Sequence, residues 1–264
     1  MGSSEVVGVD APIPKIIHYV WVGPKPLPYD ASKRIEEWQN LLPEYRIMRW
    51  SEDSIDFSPK FIRQAYSVRA YNRVANYARA AALYRYGGIY MDHDVELIRS
   101  FDELLALGCF FGFQTMRASE KDLVNNAVIG STPGHRFIAQ IIDTLNEMDG
   151  AVDWGSNTGP GLVTRLLRDE GQLVPTSKIQ RRADLHICPP SYFYPYEWDE
   201  TYTPSCITDE TFAVHYWAHT WKAKPRPSLT DRLVASALRH GSRLNPTLMS
   251  MGVRAINAVA RRMA

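Results

Sequence analysis

Two aspartates separated by one residue, Asp92 and Asp94, are the side chains best suited to chemistry in this sequence. On a strand or an extended turn, carboxylates at this spacing point to one side, where a cation relieves their mutual repulsion. Oxygen ligands favour Mg²⁺ or Mn²⁺, which usually takes one or two protein carboxylates and completes its shell with water and substrate phosphates. An Asp-x-Asp pair alone is a weak signal, because it is also common in solvated turns. The pair predicts a site for a divalent cation that would bind a substrate diphosphate.

The elements before the pair strengthen this prediction. Residues 72–86 carry apolar side chains at helical spacing and are followed by Gly87-Gly88, which predicts a helix and its end. The hydrophobic period then becomes two over residues 89–96, which predicts one strand with Tyr90, Asp92, Asp94 and Glu96 on the same face. The acidic pair is therefore expected near the carboxyl end of a buried strand.

The rest of the chain predicts an α/β fold with an open, largely parallel sheet, whose ligands bind at the carboxyl ends of the strands. Earlier patterns predict strands over 15–22 and 45–50 and helices over 30–42 and 59–66. From Gly150 onward, Gly, Pro and aromatic segments predict loops and short elements. We predict a flexible amino terminus (1–12), one catalytic domain (13–227) and basic amphipathic helices (228–264).

Composition excludes several classes of protein. Lys and Arg total 30 against 29 acidic residues in 264, so the chain lacks the basic field that sequence-independent nucleic-acid binding needs. Cys109, Cys188 and Cys206 have no metal-ligand spacing and suit reduced core thiols, which indicates the cytoplasm. No apolar run has the length of a signal peptide at the amino terminus or of a membrane span elsewhere, so we expect neither secretion nor a transmembrane helix.

The string from Ala75 to Glu96 strongly resembles the sugar-binding glycosyltransferases that carry a DXD motif. These include bacterial capsule and lipopolysaccharide enzymes, fungal Golgi mannosyltransferases and, more distantly, the large glucosylating toxins. Residues 13–23, 157–160 and 213–221 resemble further motifs of this family in the same order. The resemblance implies a GT-A (Rossmann-like) fold, a nucleotide-sugar donor, Mn²⁺ or Mg²⁺, and retention of anomeric configuration.

The resemblance also implies roles for individual residues. His215 matches the first histidine of a carboxyl-terminal His-aromatic motif and is expected to complete or support the metal site. Asn76 stands where the family usually has Asp on the donor hydroxyls, and it keeps an acceptor oxygen but loses the charge. The resemblance further implies Val20 and Trp21 for the nucleobase, Arg79 for the donor, and Thr220 and Trp221 in the carboxyl-terminal motif. Apart from the resemblance, Tyr90 is expected on the ribose because it shares the face of the acidic pair, and Asn126 and Thr158 are expected to contact the acceptor or the donor sugar.

The expected activity is transfer of a hexose from a nucleotide sugar, a UDP-sugar being favoured over GDP-mannose, to a polysaccharide or glycolipid acceptor. One alternative is a toxin-like enzyme that glycosylates a protein. Another is a catalytically silent nucleotide-sugar or glycan-binding module, which Asn76 supports. A metal-dependent phosphodiesterase is disfavoured, because one acidic pair with two distant histidines offers few ligands for a two-metal centre.

The carboxyl-terminal tail has the pattern of a basic amphipathic helix. Asn245-Pro246 predicts a cap and first turn, after which apolar residues recur at helical spacing: Met249, Val253, Ile256, Ala260 and Met263. Arginines occupy the other side, at Arg254, Arg261 and Arg262. This pattern predicts peripheral contact of residues 246–264 with an anionic membrane on its cytoplasmic face. Packing on the catalytic domain, or on a second subunit of an oligomer, is an equal alternative.

Overall fold

The computed structural model describes residues 11–218. Its strands are β1 (Ile16–Val20), β2 (Arg46–Trp50), β3 (Gly88–Met91), β4 (Val95–Leu97), β5 (Cys109–Phe113), β6 (Val124–Ser131), β7 (Gln180–Arg182), β8 (Leu185–Cys188) and β9 (Ala213–His215). Its α-helices are α1 (Tyr29–Leu41), α2 (Lys60–Ser67), α3 (Tyr71–Tyr86), α4 (Arg136–Glu147), α5 (Pro160–Asp169) and α6 (Pro190–Phe193). Short 3₁₀ helices span Asp102–Leu107, Gly155–Thr158 and Pro204–Cys206.

Seven strands form the main sheet, in the order β2-β1-β3-β6-β5-β8-β7. Strand β1 is parallel to β2 and β3, and β5 is parallel to β8. Strand β6 is antiparallel to both of its neighbours, and β7 is antiparallel to β8. All strands of this sheet except β6 and β7 therefore run in one direction, which confirms the predicted α/β class and largely parallel sheet.

Each face of the main sheet carries its own apolar core. The first core joins the sheet to α2, α3, α4 and α5, and the second joins it to α1, α6 and β9. Strand β3 contributes to both, because successive side chains of a strand point to opposite faces. Tyr90 is in the first core, whereas Ile89 and Met91 are in the second.

The single strand predicted over residues 89–96 is wrong. Strand β3 ends at Met91, His93 and Asp94 form a turn, and β4 begins at Val95. The Val95 N–H donates to the carbonyl of Asp92 at 3.0 Å and closes this turn. Strand β4 then pairs with β9 in a separate two-stranded sheet. Met91 before the turn and Val95 and Leu97 after it are all buried, so the two-residue hydrophobic period continues across the turn. This period alone could not reveal that the strand ends there.

The second half of the chain is more regular than its composition predicts. It contributes α5 to the first core, and β8 extends the main sheet as a parallel neighbour of β5. Strand β8 is four residues long and fully buried, and its sequence Leu-His-Ile-Cys has no clear alternation. Its conformation follows from pairing with β5 and β7 rather than from local pattern.

The buried side chain of His18 links β1 to β2 and to the turn that precedes β3. Its Nδ1 accepts a hydrogen bond from the indole N–H of Trp50 at 3.0 Å, and its Nε2 lies 2.8 Å from the carbonyl oxygen of Gly87. A neutral imidazole with its proton on Nε2 satisfies both contacts. Gly88 lets β3 approach closely, because a Cβ at its φ of +100° would lie 2.7 Å from the carbonyl oxygen of Ile16. Burial lowers the pKa of His18 to about 4.

Within residues 11–218, no helix is both long and apolar enough to cross a bilayer. The three cysteines are free, Cys109 and Cys188 in buried positions and Cys206 partly exposed, as predicted for reduced thiols. The tail helix predicted over 246–264, and with it Thr220 and Trp221, lies outside the described residues.

We predict that His18 makes stability fall in mild acid. The unfolded chain gains a proton at this position below pH 6.5, whereas the native imidazole resists protonation down to about pH 4. This difference should remove about 3 kcal/mol of unfolding free energy progressively over that interval. Urea unfolding at a series of pH values measures it. His18→Gln should be less stable at pH 7 but show a shallower decline, and an equal decline in both proteins would contradict the assignment.

Candidate active site

Asp92, Asp94 and His215 converge at the carboxyl end of β3. Pairing of β4 with β9 places Val95 directly opposite His215. The His215 Nε2 consequently lies 3.4 Å from Asp94 Oδ1. One potential ligand atom from each of the three residues lies within 4.8 Å of the others. We call these residues the metal cluster, and the structure brings together the three metal ligands expected from the sequence.

Asp92 is oriented by two neighbours that bind the same oxygen. The Tyr90 hydroxyl donates to Asp92 Oδ1 at 2.6 Å, and Arg79 Nη2 lies 3.2 Å from it. The Arg79 guanidinium also covers the Tyr90 ring, 4.4 Å from its centroid, and donates to the backbone carbonyl of Asn126. Burial raises the pKa of Tyr90 well above its ordinary value, so this hydroxyl stays protonated and can donate. These contacts leave the second oxygen of Asp92 for a cation.

Asp94 is held by the segment that follows β9. Its Oδ2 accepts a hydrogen bond from the Ala218 N–H at 2.8 Å, and its carbonyl accepts from the Tyr216 N–H at 3.1 Å. Burial alone would raise the pKa of Asp94, but the His215 imidazole and the Ala218 N–H hold it well below its usual range. Burial would likewise lower the pKa of His215, yet the carboxylate of Asp94 raises it. Asp94 is thus a carboxylate at neutral pH.

Trp217 adopts a strained backbone conformation at this point. Its φ is +52°, a left-handed value that is uncommon for bulky residues. Its ring meets His215 edge-on, with 4.4 Å between ring centroids, and Tyr194 contacts both the imidazole, edge-on at 5.8 Å, and the Trp217 ring at 5.9 Å. The left-handed residue turns the chain so that the next N–H, that of Ala218, reaches Asp94. The strained residue therefore lies beside Asp94 and His215, the two residues of the metal cluster that it helps to fix.

The donor set of the metal cluster fits Mn²⁺ or Mg²⁺. Two carboxylates provide hard oxygen ligands, and an imidazole nitrogen is a common additional ligand. Among residues 11–218, the buried Nδ1 of His215 has no hydrogen-bond partner. Such an unpaired buried nitrogen is costly unless a ligand or solvent meets it. The two carboxylates and the imidazole of the cluster therefore have the donor chemistry that a hard divalent cation needs.

A chain of neutral polar side chains adjoins Arg79. The Asn126 Nδ2 donates to Asn76 Oδ1 at 3.2 Å, and the Asn76 Nδ2 donates to Thr158 Oγ1 at 3.4 Å. Gly159 allows this close packing, because a Cβ there would lie 3.1 Å from the Asn76 amide nitrogen. Together with Arg79 these side chains line one small cleft. The structure thus gathers the predicted sugar-binding candidates beside the metal cluster.

The predicted nucleobase residues follow the end of β1. Trp21 is partly exposed, and its ring meets His93 of the acidic turn edge-on, with 5.0 Å between centroids. Its indole N–H donates to the carbonyl of Lys25 at 2.8 Å, which fixes the ring. The side chain of Val20, in contrast, is buried in the first core. Only Trp21 offers a ring face here, and Val20 can contact a base through its backbone alone.

Sequence reasoning missed Tyr194 and Ala218, and it considered Trp217 only as one of several tryptophans that could line a sugar groove. Tyr194 accepts a hydrogen bond from the Val128 N–H at 3.1 Å, which places its ring against His215. The only local signal for these residues is the density of aromatics over 192–196 and 216–217. Ala218 acts through its backbone, which no side-chain motif can identify.

We expect Asp94→Asn to lower Mn²⁺ affinity at least tenfold while the fold persists. Asparagine keeps an oxygen for the Ala218 N–H but removes the negative charge that a divalent cation needs. Isothermal titration with MnCl₂ measures the affinity, and circular dichroism checks the fold. Asp169→Asn, at the exposed end of α5, is the matched control and should bind as the unaltered chain does. Equal Mn²⁺ affinity in both variants would remove Asp94 from the site.

Two regions of the chain match models of glycosyltransferase families. Residues 28–111 match the glycosyltransferase sugar-binding region containing the DXD motif. Residues 130–240 match the alpha 1,4-glycosyltransferase conserved region. These matches confirm the resemblance expected from the sequence, and together they span both the acidic turn and β9.

Individual relatives agree with these matches. The chain is 27% identical over 217 residues to an uncharacterized glycosyltransferase, L373, of Acanthamoeba polyphaga mimivirus, covering 79% of this chain and 82% of that protein. It is 32% identical over 149 residues to inositol phosphoceramide mannosyltransferase 3 of Schizosaccharomyces pombe, covering 51% of this chain and 38% of that protein. The chain thus spans less than half of this second relative.

A solved structure, PaToxG glycosyltransferase, resembles the chain with a TM-score of 0.50 and 21% identity. The likeness covers 60% of this chain and 69% of that one. At this identity it concerns the fold, and it confirms the predicted GT-A architecture.

Proposed function

Because the chain belongs to the DXD-containing glycosyltransferases, we propose that it transfers a hexose from a nucleotide-sugar donor to a glycan or glycolipid acceptor. The observation that carries this proposal is the metal cluster, which lies at the carboxyl end of β3. Arg79 connects it to the hydrogen-bonded side chains of Asn76, Asn126 and Thr158, which would provide amide and hydroxyl groups for a sugar.

In the proposed reaction the bond between the anomeric carbon and the diphosphate oxygen breaks. A bond forms from that carbon to an acceptor hydroxyl oxygen, whose proton passes to the departing diphosphate, and the nucleoside diphosphate leaves with the electron pair of the broken bond. A divalent cation, when bound, neutralises negative charge on the leaving diphosphate. Asp92, Asp94 and His215 would hold it, and Arg79 would orient Asp92 while adding its own positive charge near the phosphates. We propose that anomeric configuration is retained.

The donor would lie across the first-core side of the metal cluster. Trp21 offers a ring face for the base. Tyr90 is buried beneath Arg79, so it would support the site by orienting Asp92 rather than by contacting the ribose. Asn76, Asn126 and Thr158 offer amide and hydroxyl groups to the sugar. We propose a UDP-sugar as donor, with GDP-mannose as the alternative. Thr220 and Trp221 lie outside the described residues, and their part in donor binding stays a prediction from the family resemblance.

The acceptor is proposed to be a glycolipid or a polysaccharide. The fission yeast relative is named for a lipid acceptor, inositol phosphoceramide, which supports a glycolipid. Lipid-linked acceptors would give a purpose to the membrane contact predicted for residues 246–264. Cytoplasmic location, this membrane contact and an oligomer remain predictions.

A second candidate function is a catalytically silent nucleotide-sugar or glycan-binding module. Asn76 favours it, because both groups of its amide are already hydrogen-bonded to Asn126 and Thr158. Asn76→Asp restores a carboxylate that can still accept from both partners. Donor turnover that appears only in Asn76→Asp would support the module.

Turnover of the donor should require the metal cluster. We expect Mn²⁺-dependent hydrolysis of at least one sugar among UDP-glucose, UDP-galactose, UDP-N-acetylglucosamine and GDP-mannose, measured as release of UDP or GDP. Chelation with EDTA and Asp94→Asn should each abolish it, because the diphosphate loses its counter-charge. Asp169→Asn should hydrolyse as the unaltered chain does. Binding of UDP without turnover of any donor would favour the module instead.

Trp21→Ala should weaken UDP binding by about 1–3 kcal/mol, the cost of losing an aromatic platform under a base. Titration calorimetry in the presence of Mn²⁺ measures the affinity. Trp21→Phe keeps a flat face and should recover most of the loss. A folded Trp21→Ala protein with unchanged UDP affinity would place the base elsewhere.

A further inference from the structure

Three tyrosines contact one another in succession beside the metal cluster. The ring of Tyr196 lies 5.4 Å from that of Tyr202, which in turn lies 5.1 Å from that of Tyr216. Tyr202 and Tyr216 are partly exposed, and Tyr196 forms the buried end. We call this arrangement the tyrosine strip. None of its residues has a role in the donor site proposed above.

The tyrosine strip is continuous with the metal cluster. Tyr216 directly follows His215, and its backbone N–H donates to the carbonyl of Asp94 at 3.1 Å. The strained Trp217 contacts His215 and extends its indole N–H to the carbonyl of Tyr196, at 3.3 Å. A ligand on the strip would therefore end within reach of the anomeric carbon of a donor held at the cluster.

The strip and the donor residues lie on different sides of the main sheet. Arg79 and Asn76 extend from α3, which packs in the first core. Tyr194 and Trp217 pack in the second core, and α1 of that side places the Arg34 guanidinium 4.8 Å from the centroid of Tyr216. The metal cluster lies at the carboxyl end of β3, between the donor residues and the strip. Within residues 11–218, this division places the strip outside the proposed donor site and leaves it available to the second substrate.

The chemistry of the strip suits a saccharide. Aromatic faces cover the apolar C–H side of a sugar ring, while charged groups at their rim can bind its hydroxyls. Arg34 supplies donors above Tyr216. Glu96, whose carboxylate accepts a hydrogen bond from the Tyr216 hydroxyl, supplies acceptor oxygens. Polar groups interleaved with half-buried rings match a hydrated sugar better than a continuous apolar partner.

We propose that the tyrosine strip, with Arg34, is the binding site for the acceptor saccharide. This inference rests on the proposed glycosyl transfer and assigns the second substrate to named residues. Tyr202 is the central residue, because it contacts both other tyrosines and its chain neighbours Thr201 and Thr203 are exposed.

The test measures saccharide binding directly. Lactose, maltose and mannobiose are titrated onto the full chain with UDP and Mg²⁺, with saturation-transfer NMR as the readout. We expect at least one to bind, with affinity reduced at least fivefold in Tyr202→Ala and several-fold in Arg34→Ala. Tyr202→Phe, which keeps the ring, should stay within about twofold. Affinity for UDP and Mg²⁺ should not change in Tyr202→Ala.

Tyr84→Ala is the matched control, because Tyr84 is an exposed tyrosine near the end of α3, at the opposite edge of the sheet. It should bind saccharide as the unaltered chain does. If Tyr202→Ala unfolds, Tyr202→Leu carries the same test, since it keeps apolar bulk without a flat face. Failure of the unaltered chain to bind any of the three saccharides would overturn the proposal, as would equal binding by Tyr202→Ala.

The same variants separate this proposal from the proposed function. Saccharide binding that depends on Tyr202, in a chain that hydrolyses no donor, would support the strip and contradict glycosyl transfer. Donor hydrolysis with saccharide binding that is indifferent to Tyr202 would support transfer and remove the acceptor from the strip.

Discussion

The contact between Asp94 and His215 is the interaction on which the site depends. A buried carboxylate is unfavourable without a partner, and Asp94 is almost fully buried. The pairing of β4 with β9 supplies the imidazole, and the strained turn at Trp217 supplies the Ala218 N–H. The three-residue strands β4 and β9 thus bring two distant parts of the chain together at the Asp94 carboxylate. A cation would take over part of the role that the imidazole plays for Asp94.

The turn between α3 and β3 sets the position of everything else in the site. Gly88 admits the backbone of β1 at a distance that a side chain would prevent, and the His18 imidazole hydrogen-bonds to the Gly87 carbonyl. Helix α3 and strand β3 are therefore held in a fixed relation. As a result Arg79 on the helix reaches Asp92 after the strand, and the Asp92 carboxylate is oriented before any ligand arrives.

The two faces of the sheet present different kinds of side chain to the site. The first-core side presents amides, a hydroxyl and a guanidinium, which suit the phosphates and hydroxyls of a nucleotide sugar. The second-core side presents tyrosine faces with Arg34 and Glu96 at their rim. Since the metal cluster lies between them, the proposed donor and the proposed acceptor would meet there without competing for the same surface.

The sequence by itself determined the helix before the site, the glycine stop and the acidic pair. Helix α3, the Gly87-Gly88 stop and the acidic pair follow from spacing and residue type, because helix period, glycine conformation and carboxylate repulsion are local effects. Tertiary structure alone decided that the strand breaks at Asp92, that β4 pairs with β9, and that Asn76, Asn126 and Thr158 share one cleft. Those contacts join residues separated by 50 to 120 or more positions. Their physical origin is burial and strand pairing between distant segments, which no local pattern encodes.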